Sequence, residues 1–241
     1  LVSLRIDIAL MGQKRTAILL FSRSPQEEAA TKKFTFRRSQ EVVRLLLRHS
    51  LRQARKTHLP LFTCYSPQQR GNSFGERLAN ALEDVFTKGY DNVLVIGNDS
   101  PGLSRALLLK ANKALLDGQL VLGPALDGGV YLIGINSATY DRQQFLNLHW
   151  ETPNLQASWQ HYISQKNIAV TRLCGLTDID TAIDLWKFLR HYRTGFIGRQ
   201  LSACLHRSTS FIAELKANTI PLLSLITFPQ YRGPPVLDQE Q

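Results

Sequence analysis

NVLVIGNDSPGLSRALLLKANKALLDGQLVLGPALDGGVYLIG, residues Asn92 to Gly134, is the stretch whose reading decides the fold. An apolar run, Val93-Leu94-Val95-Ile96-Gly97, ends on Asn98-Asp99-Ser100-Pro101. A helix-like segment follows, and a second run, Leu120-Val121-Leu122, leads into Gly123-Pro124-Ala125-Leu126-Asp127-Gly128-Gly129. Short apolar runs bounded by turn residues have the length of buried strands. Each of these two delivers an aspartate into a glycine- or proline-containing turn. An α/β protein places carboxylates in this way at the carboxyl ends of its strands, the edge where open sheets bind ligands.

Working outward, Thr16 to Phe21 reads as a first strand, and the polar segment Ser22 to Lys33 after it reads as a loop. Arg23, Lys32 and Lys33 place basic charge where many α/β folds hold phosphates, but the loop has no glycine to let backbone approach a phosphate closely. Ser39 to Lys56 has helical period: Val43, Leu46, Leu47, Leu51 and Ala54 share one face, and Arg44, Arg48, Arg52 and Arg55 another. Leu59 to Cys64 reads as a strand. Ser73, three residues before Glu76, is a capping-box signal for the next helix, and capping alone would account for Glu76.

Beyond Gly134, residues 145–150 read as a strand, a helix is expected from about Pro153, and residues 168–173 form another strand. Asp178-Ile179-Asp180-Thr181 then leads into a helix at Ala182. Strands alternating with helices predict an α/β fold with a mainly parallel sheet covered on both faces. One domain is expected over 1–192, with an extension over 193–241 that packs on the domain or on a partner chain, the latter giving a homodimer.

The chain has 241 residues, 44% hydrophobic and 20% charged, as expected of a globular protein. Its net charge of +10 favours anionic partners such as nucleotides, phosphorylated metabolites, nucleic acid or acidic membranes. The arginine stripe carries no interleaved aromatic residues for stacking on bases, so a solvated helix face is favoured over nucleic-acid binding. No apolar run is long enough to span a bilayer, and the first ten residues do not read as a signal peptide. Three distant cysteines, Cys64, Cys174 and Cys204, suit neither a disulfide framework nor a zinc site, so a cytoplasmic location is expected.

Two carboxylates at one sheet edge, Asp99 and Asp180, could share Mg²⁺ or Mn²⁺, ions held by one or two carboxylates together with substrate phosphates. The plainer reading of both Asp-Ser-Pro and Asp-Gly-Gly is an ordinary turn. None of the six histidines falls in a motif that would make it a general base, and the catalytic residue is left unassigned.

Gly97-Asn98-Asp99-Ser100-Pro101-Gly102-Leu103, residues 122–134, Phe74-Gly75-Glu76-Arg77-Leu78, His149-Trp150-Glu151-Thr152 and residues 177–185 occur in the same order in one bacterial family. Over roughly 16–190 the chain resembles the GT-A-like family described as radical-SAM/selenodomain-associated transferases. More distantly it is similar to the molybdenum-cofactor and phospholactate guanylyltransferases. The resemblance implies a three-layer, Rossmann-like nucleotide-diphospho-sugar transferase fold and a transferase using a nucleotide or nucleotide-sugar donor. It leaves glycosyl and nucleotidyl transfer both open, with the acceptor unknown. It further implies Asp99 and Asp180 as metal ligands and Arg23, Lys32, Lys33 and Asn98 as nucleotide contacts. Asp127, Gly128, Gly129, Trp150 and Glu76 would line the substrate pocket, although Trp150 could equally be a buried aromatic.

One departure stands out. The family's first loop carries glycine and ends in Lys-Thr-Arg-Leu, whereas this chain has Gln26-Glu27-Glu28-Ala29-Ala30-Thr31-Lys32-Lys33-Phe34. Added acids repel a triphosphate, and lysine does not reproduce arginine's bidentate grip. Altered nucleotide binding is expected, and the competing reading is a degenerate GT-A-fold binding or scaffold protein. Carboxylates at Asp99 and Asp180 more than about 8 Å apart would favour that second reading, because metal–oxygen bonds are only about 2.0–2.6 Å long.

Overall fold

The computed structural model describes residues 14–32, 34 and 38–206. By internal contacts the chain divides into two units, Leu1–Cys204 and Leu205–Gln241. All that follows concerns the first. Lys33 and the extended tail expected over 228–235 lie outside the described residues.

Six strands form one sheet among the described residues: β1 (Thr16–Ser22), β2 (Leu61–Tyr65), β3 (Asn92–Ile96), β4 (Leu120–Pro124), β5 (Val130–Asn136) and β6 (Val170–Arg172). Their order is β2-β1-β3-β5-β4-β6. β1 pairs in parallel with β2 and β3, and β4 with β6, while β5 runs antiparallel to both its neighbours. The mainly parallel sheet is as expected. The reversed strand follows from the Asp127-Gly128 turn, which is too short for a crossover and can only make a hairpin.

Strand side chains alternate between two faces, and here both faces are buried. Ala17, Leu19, Phe21, Val93, Val95, Leu122 and Ile133 point into one core. Helix α3 (Phe74–Phe86) seals it with Leu78, Leu82 and Val85, and α6 (Leu155–Lys166) seals it with Leu155, Trp159 and Tyr162. Ile18, Leu20, Leu94, Ile96, Val121 and Leu132 point into the other. There α2 (Ser39–Arg55) contributes Leu47 and Ala54, and α4 (Arg105–Leu116) contributes Leu108, Ala111 and Leu115. The result is a helix–sheet–helix sandwich with two cores. Continuous apolar strands in the sequence are the mark of a sheet covered on both sides.

Two expectations fail. Residues 22–33 are not a loop throughout, because Pro25–Thr31 form a helix, α1. Ser24 caps it by accepting from the Glu27 amide at 3.4 Å, proline occupies the first turn, and Glu27 and Glu28 lie in that turn. Ser-Pro-x-Glu-Glu is a helix start by capping, by proline's fixed φ and by the helix dipole. Residues 145–150 are not a strand: α5 (Arg142–Leu146) ends there and a turn follows. Asp141 caps α5 through the Gln144 amide at 3.0 Å, and the run was too short for periodicity to separate strand from helix.

The arginine stripe of α2 is exposed, and its opposite face is buried, as its period predicts. One member, Arg52, lies over the Phe196 ring at 4.1 Å. Phe196 opens the last described helix, α8 (Phe196–His206), which follows α7 (Ala182–Tyr192). No described helix is long and apolar enough to cross a membrane.

Candidate functional site

The loops after β1, β3, β4 and β6 all leave the same edge of the sheet, because those strands are parallel. The loop after β3 carries Gly97 to Gly102. Its far end is held from behind by His49 of α2, whose buried Nε2 donates to the Leu103 carbonyl at 3.0 Å. Burial lowers the His49 pKa, which keeps the ring neutral and fixes that tautomer. Among the described residues its Nδ1 has no partner. Beyond β6 the chain stays extended beside β4 and its turn: Leu176 donates to Pro124 O at 3.1 Å and accepts from Leu126 N at 2.9 Å. It then crosses to β3's loop, where the Ile179 amide donates to Asp99 O at 3.0 Å.

That crossing brings together the two aspartates expected from sequence. Asp99 Oδ2 lies 2.8 Å and Asp180 Oδ1 2.9 Å from one atom, the Lys32 ammonium nitrogen. Two oxygens within bonding reach of one nitrogen are close enough to share one cation. A third carboxylate, Glu28 Oε1, lies 2.9 Å from the same nitrogen, one turn back on α1. Lys32 is buried, and burial works against its charge, but Asp99, Glu28 and Asp180 outweigh that and raise its pKa. It is charged at any physiological pH.

Asp178 is the functional residue the sequence reading missed. In extended backbone, residues two apart share a side, so Asp178 and Asp180 flank Ile179, which is fully buried in the opposite direction. The Ser100 hydroxyl donates to Asp178 Oδ1. Burial, and then the charge of Asp99, push the Asp178 pKa up to about 7; Ser100 opposes this, and Asp127 and Asp180 add to it. The Asp-x-Asp spacing was the available signal.

The folded-state pKa lies above the value of about 3.9 for an unfolded chain. The folded protein therefore binds this proton more tightly. The stability this supplies is complete below about pH 4 and is lost as pH rises toward 7. Asp178→Asn retains a partner for Ser100 without the charge. In metal-free buffer at pH 8 the variant should be more stable than wild type by on the order of 2 kcal/mol, with the gap closing toward pH 4. Thermal melts across that range check it, and a pH-independent gap would remove Asp178's charge as the cause.

The other expected site residues are placed as follows. Arg23 is exposed just beyond β1 and donates to Thr31 Oγ1 at 3.2 Å. Asn98 is buried beside Asp99. Asp127 Oδ1 accepts from the Gly129 amide at 2.9 Å, and Gly128 has φ +98°, so the hairpin turn needs glycine there. Gln156 of α6 donates to Gly129 O at 2.9 Å and steadies that turn. Glu76 is engaged in its capping box, accepting from the Asn72 amide at 2.6 Å and the Ser73 amide at 3.4 Å. Trp150 is half-buried, donates to Phe145 O at 2.9 Å and packs on Phe74, Phe145 and Trp159.

Among the described residues no three His, Cys, Asp or Glu side chains are arranged to hold a metal ion. Two carboxylates converge, which suits an ion of the Mg²⁺ type completed by substrate phosphates rather than an all-protein cage.

A three-layer α/β unit with acidic residues on the loops at its strand ends is the architecture of the nucleotide-diphospho-sugar transferases. A protein of Desulfovibrio desulfuricans G20 described as a "putative nucleotide-diphospho-sugar transferase" shares the fold, with a TM-score of 0.72 at 24% identity over 83% of this chain and 98% of that one. Rv0371c of Mycobacterium tuberculosis H37Rv follows with a TM-score of 0.50 at 13% identity, over 74% of this chain and 99% of that one. The chain belongs to the family described as "Uncharacterized protein conserved in bacteria (DUF2064)", whose profile matches residues 32–152. Among curated proteins there is no match.

Proposed function

We propose that this protein is a transferase acting on a nucleotide-activated donor, with a divalent cation shared between the donor's phosphates and the carboxylates of Asp99 and Asp180. The observation that carries this reading is the convergence of those two carboxylates, 81 positions apart, on one point at the carboxyl edge of the sheet. The donor set fits Mg²⁺ or Mn²⁺: both ligands are hard oxygens, and three carboxylates face a single ammonium, which leaves negative charge to compensate. When bound, such a cation offsets diphosphate charge and stabilises the leaving group. Asp99 is oriented by its place behind a buried strand and by its backbone bond to Ile179. Arg23, exposed at the same edge, would meet phosphate oxygens, and the Asp127–Gly129 turn would border the donor's sugar or the acceptor.

Titration calorimetry with nucleoside di- and triphosphates, with and without Mn²⁺, tests this. Binding that requires Mn²⁺ is expected at micromolar to millimolar concentration. Absence of binding at several millimolar would remove the transferase reading. It would leave the second reading, a GT-A-fold binding protein, which draws support from α1 replacing a glycine loop and from an ammonium already seated between the two aspartates.

A further inference from the structure

Lys32 ends α1 and is only 9% exposed, yet its ammonium meets three carboxylates at 2.8–2.9 Å. Two of these, Asp99 and Asp180, belong to the proposed cation site. The third, Glu28, is itself buried at 6% exposure and sits one helical turn before Lys32, so it travels with the lysine. A buried carboxylate on the lysine's own helix has no role in holding Asp99 and Asp180. It does provide a partner for the ammonium when those two are taken by something else. Burying an unpaired ammonium is costly, and a retained carboxylate removes most of that cost.

We infer that Lys32 is the resident counter-cation of the Asp99–Asp180 pair, and that a divalent metal binds by exchanging with its ammonium, which then stays on Glu28. The inference rests on the cation site proposed above and concerns what occupies it beforehand. Like charges repel at this range, so the ammonium and a divalent ion cannot share the two carboxylates. Lys32 therefore holds the aspartates at cation-binding spacing in the resting protein, and it weakens metal binding until donor phosphates arrive to help. Helix α1 exists in this chain because Ser24, Pro25, Glu27 and Glu28 start it, and the same departure from a glycine loop supplies the retaining carboxylate.

The test is Mn²⁺ binding without nucleotide, followed by the electron paramagnetic resonance of free Mn²⁺ on full-length wild type, Lys32→Met and Asp99→Asn. Lys32→Met should bind Mn²⁺ at least 10-fold more tightly than wild type, and Asp99→Asn should not bind. Equal or weaker binding by Lys32→Met, with binding still lost in Asp99→Asn, overturns the exchange and leaves the cation site standing. No Asp99-dependent binding in either wild type or Lys32→Met overturns both. Should Lys32→Met fold poorly, lysine acylation of the wild type read by mass spectrometry decides. Mn²⁺ should raise labelling of Lys32 severalfold against exposed Lys110, and unchanged Lys32 labelling overturns the exchange.

Discussion

Asp99→Asn is expected to abolish Mn²⁺-dependent nucleotide binding, with a loss greater than about 100-fold, since even residues that merely support a metal ligand cost 10–100-fold when changed. Asp99 is the residue on which the whole edge converges. Its carboxylate meets Lys32, its backbone carbonyl accepts from Ile179, and its charge is the largest electrostatic contributor to the raised Asp178 pKa. The asparagine keeps the shape and the backbone bond, so the fold should survive. Removing one of the charges that crowd Asp178 should also lower that residue's pKa. Calorimetry on the variant gives the first result and a pH titration of the Asp178 carboxyl resonance the second. Undiminished Mn²⁺-dependent binding would place the cation elsewhere.

Trp159→Ala should be the most damaging single core truncation at this end of the sheet, costing about 3–5 kcal/mol. Trp159 is fully buried and packs edge-on against Phe145, Trp150 and Tyr162 at 5.4–6.1 Å between ring centres. At this chain length each kcal/mol moves the melting temperature by roughly 2–4 °C, so a fall of about 10 °C is expected. Gln156 sits one turn earlier on α6 and holds the Gly129 turn, so loosening this helix also loosens the turn. Trp159→Phe should be far milder. It removes an indole N–H that has no partner among the described residues, and it keeps most of the ring volume. Equal losses from Ala and Phe would mean that cavity formation is not the cause.

The strands at 16–22, 92–96 and 120–124 could be read from their composition because each is buried on both faces, which leaves an unbroken apolar run. The Ser73–Glu76 capping box was equally plain, since both partners of a cap lie within four residues. The failures came where local signals were short or mixed. Helix α1 was signalled by Ser24-Pro25 and two acids but was obscured by comparison with a glycine loop. Residues 145–150 were apolar enough for a strand, yet Asp141 had already started a helix.

The sequence by itself determined the alternation of strand and helix, the two-faced burial of the sheet and the delivery of Asp99 and Asp127 to turns at one edge. It also contained Asp178 and Asp180 at the spacing that turns both to one side. Only the tertiary structure decided that Asp180 and Asp99 meet, because the backbone bond from Ile179 to Asp99 closes 80 residues of chain. It alone decided that the point where they meet is Lys32 and that Glu28 stands behind it. Local propensities act over a few residues and can specify elements and caps. The charge balance of a site assembled from four separate loops depends on distances across the sheet, which no local pattern encodes.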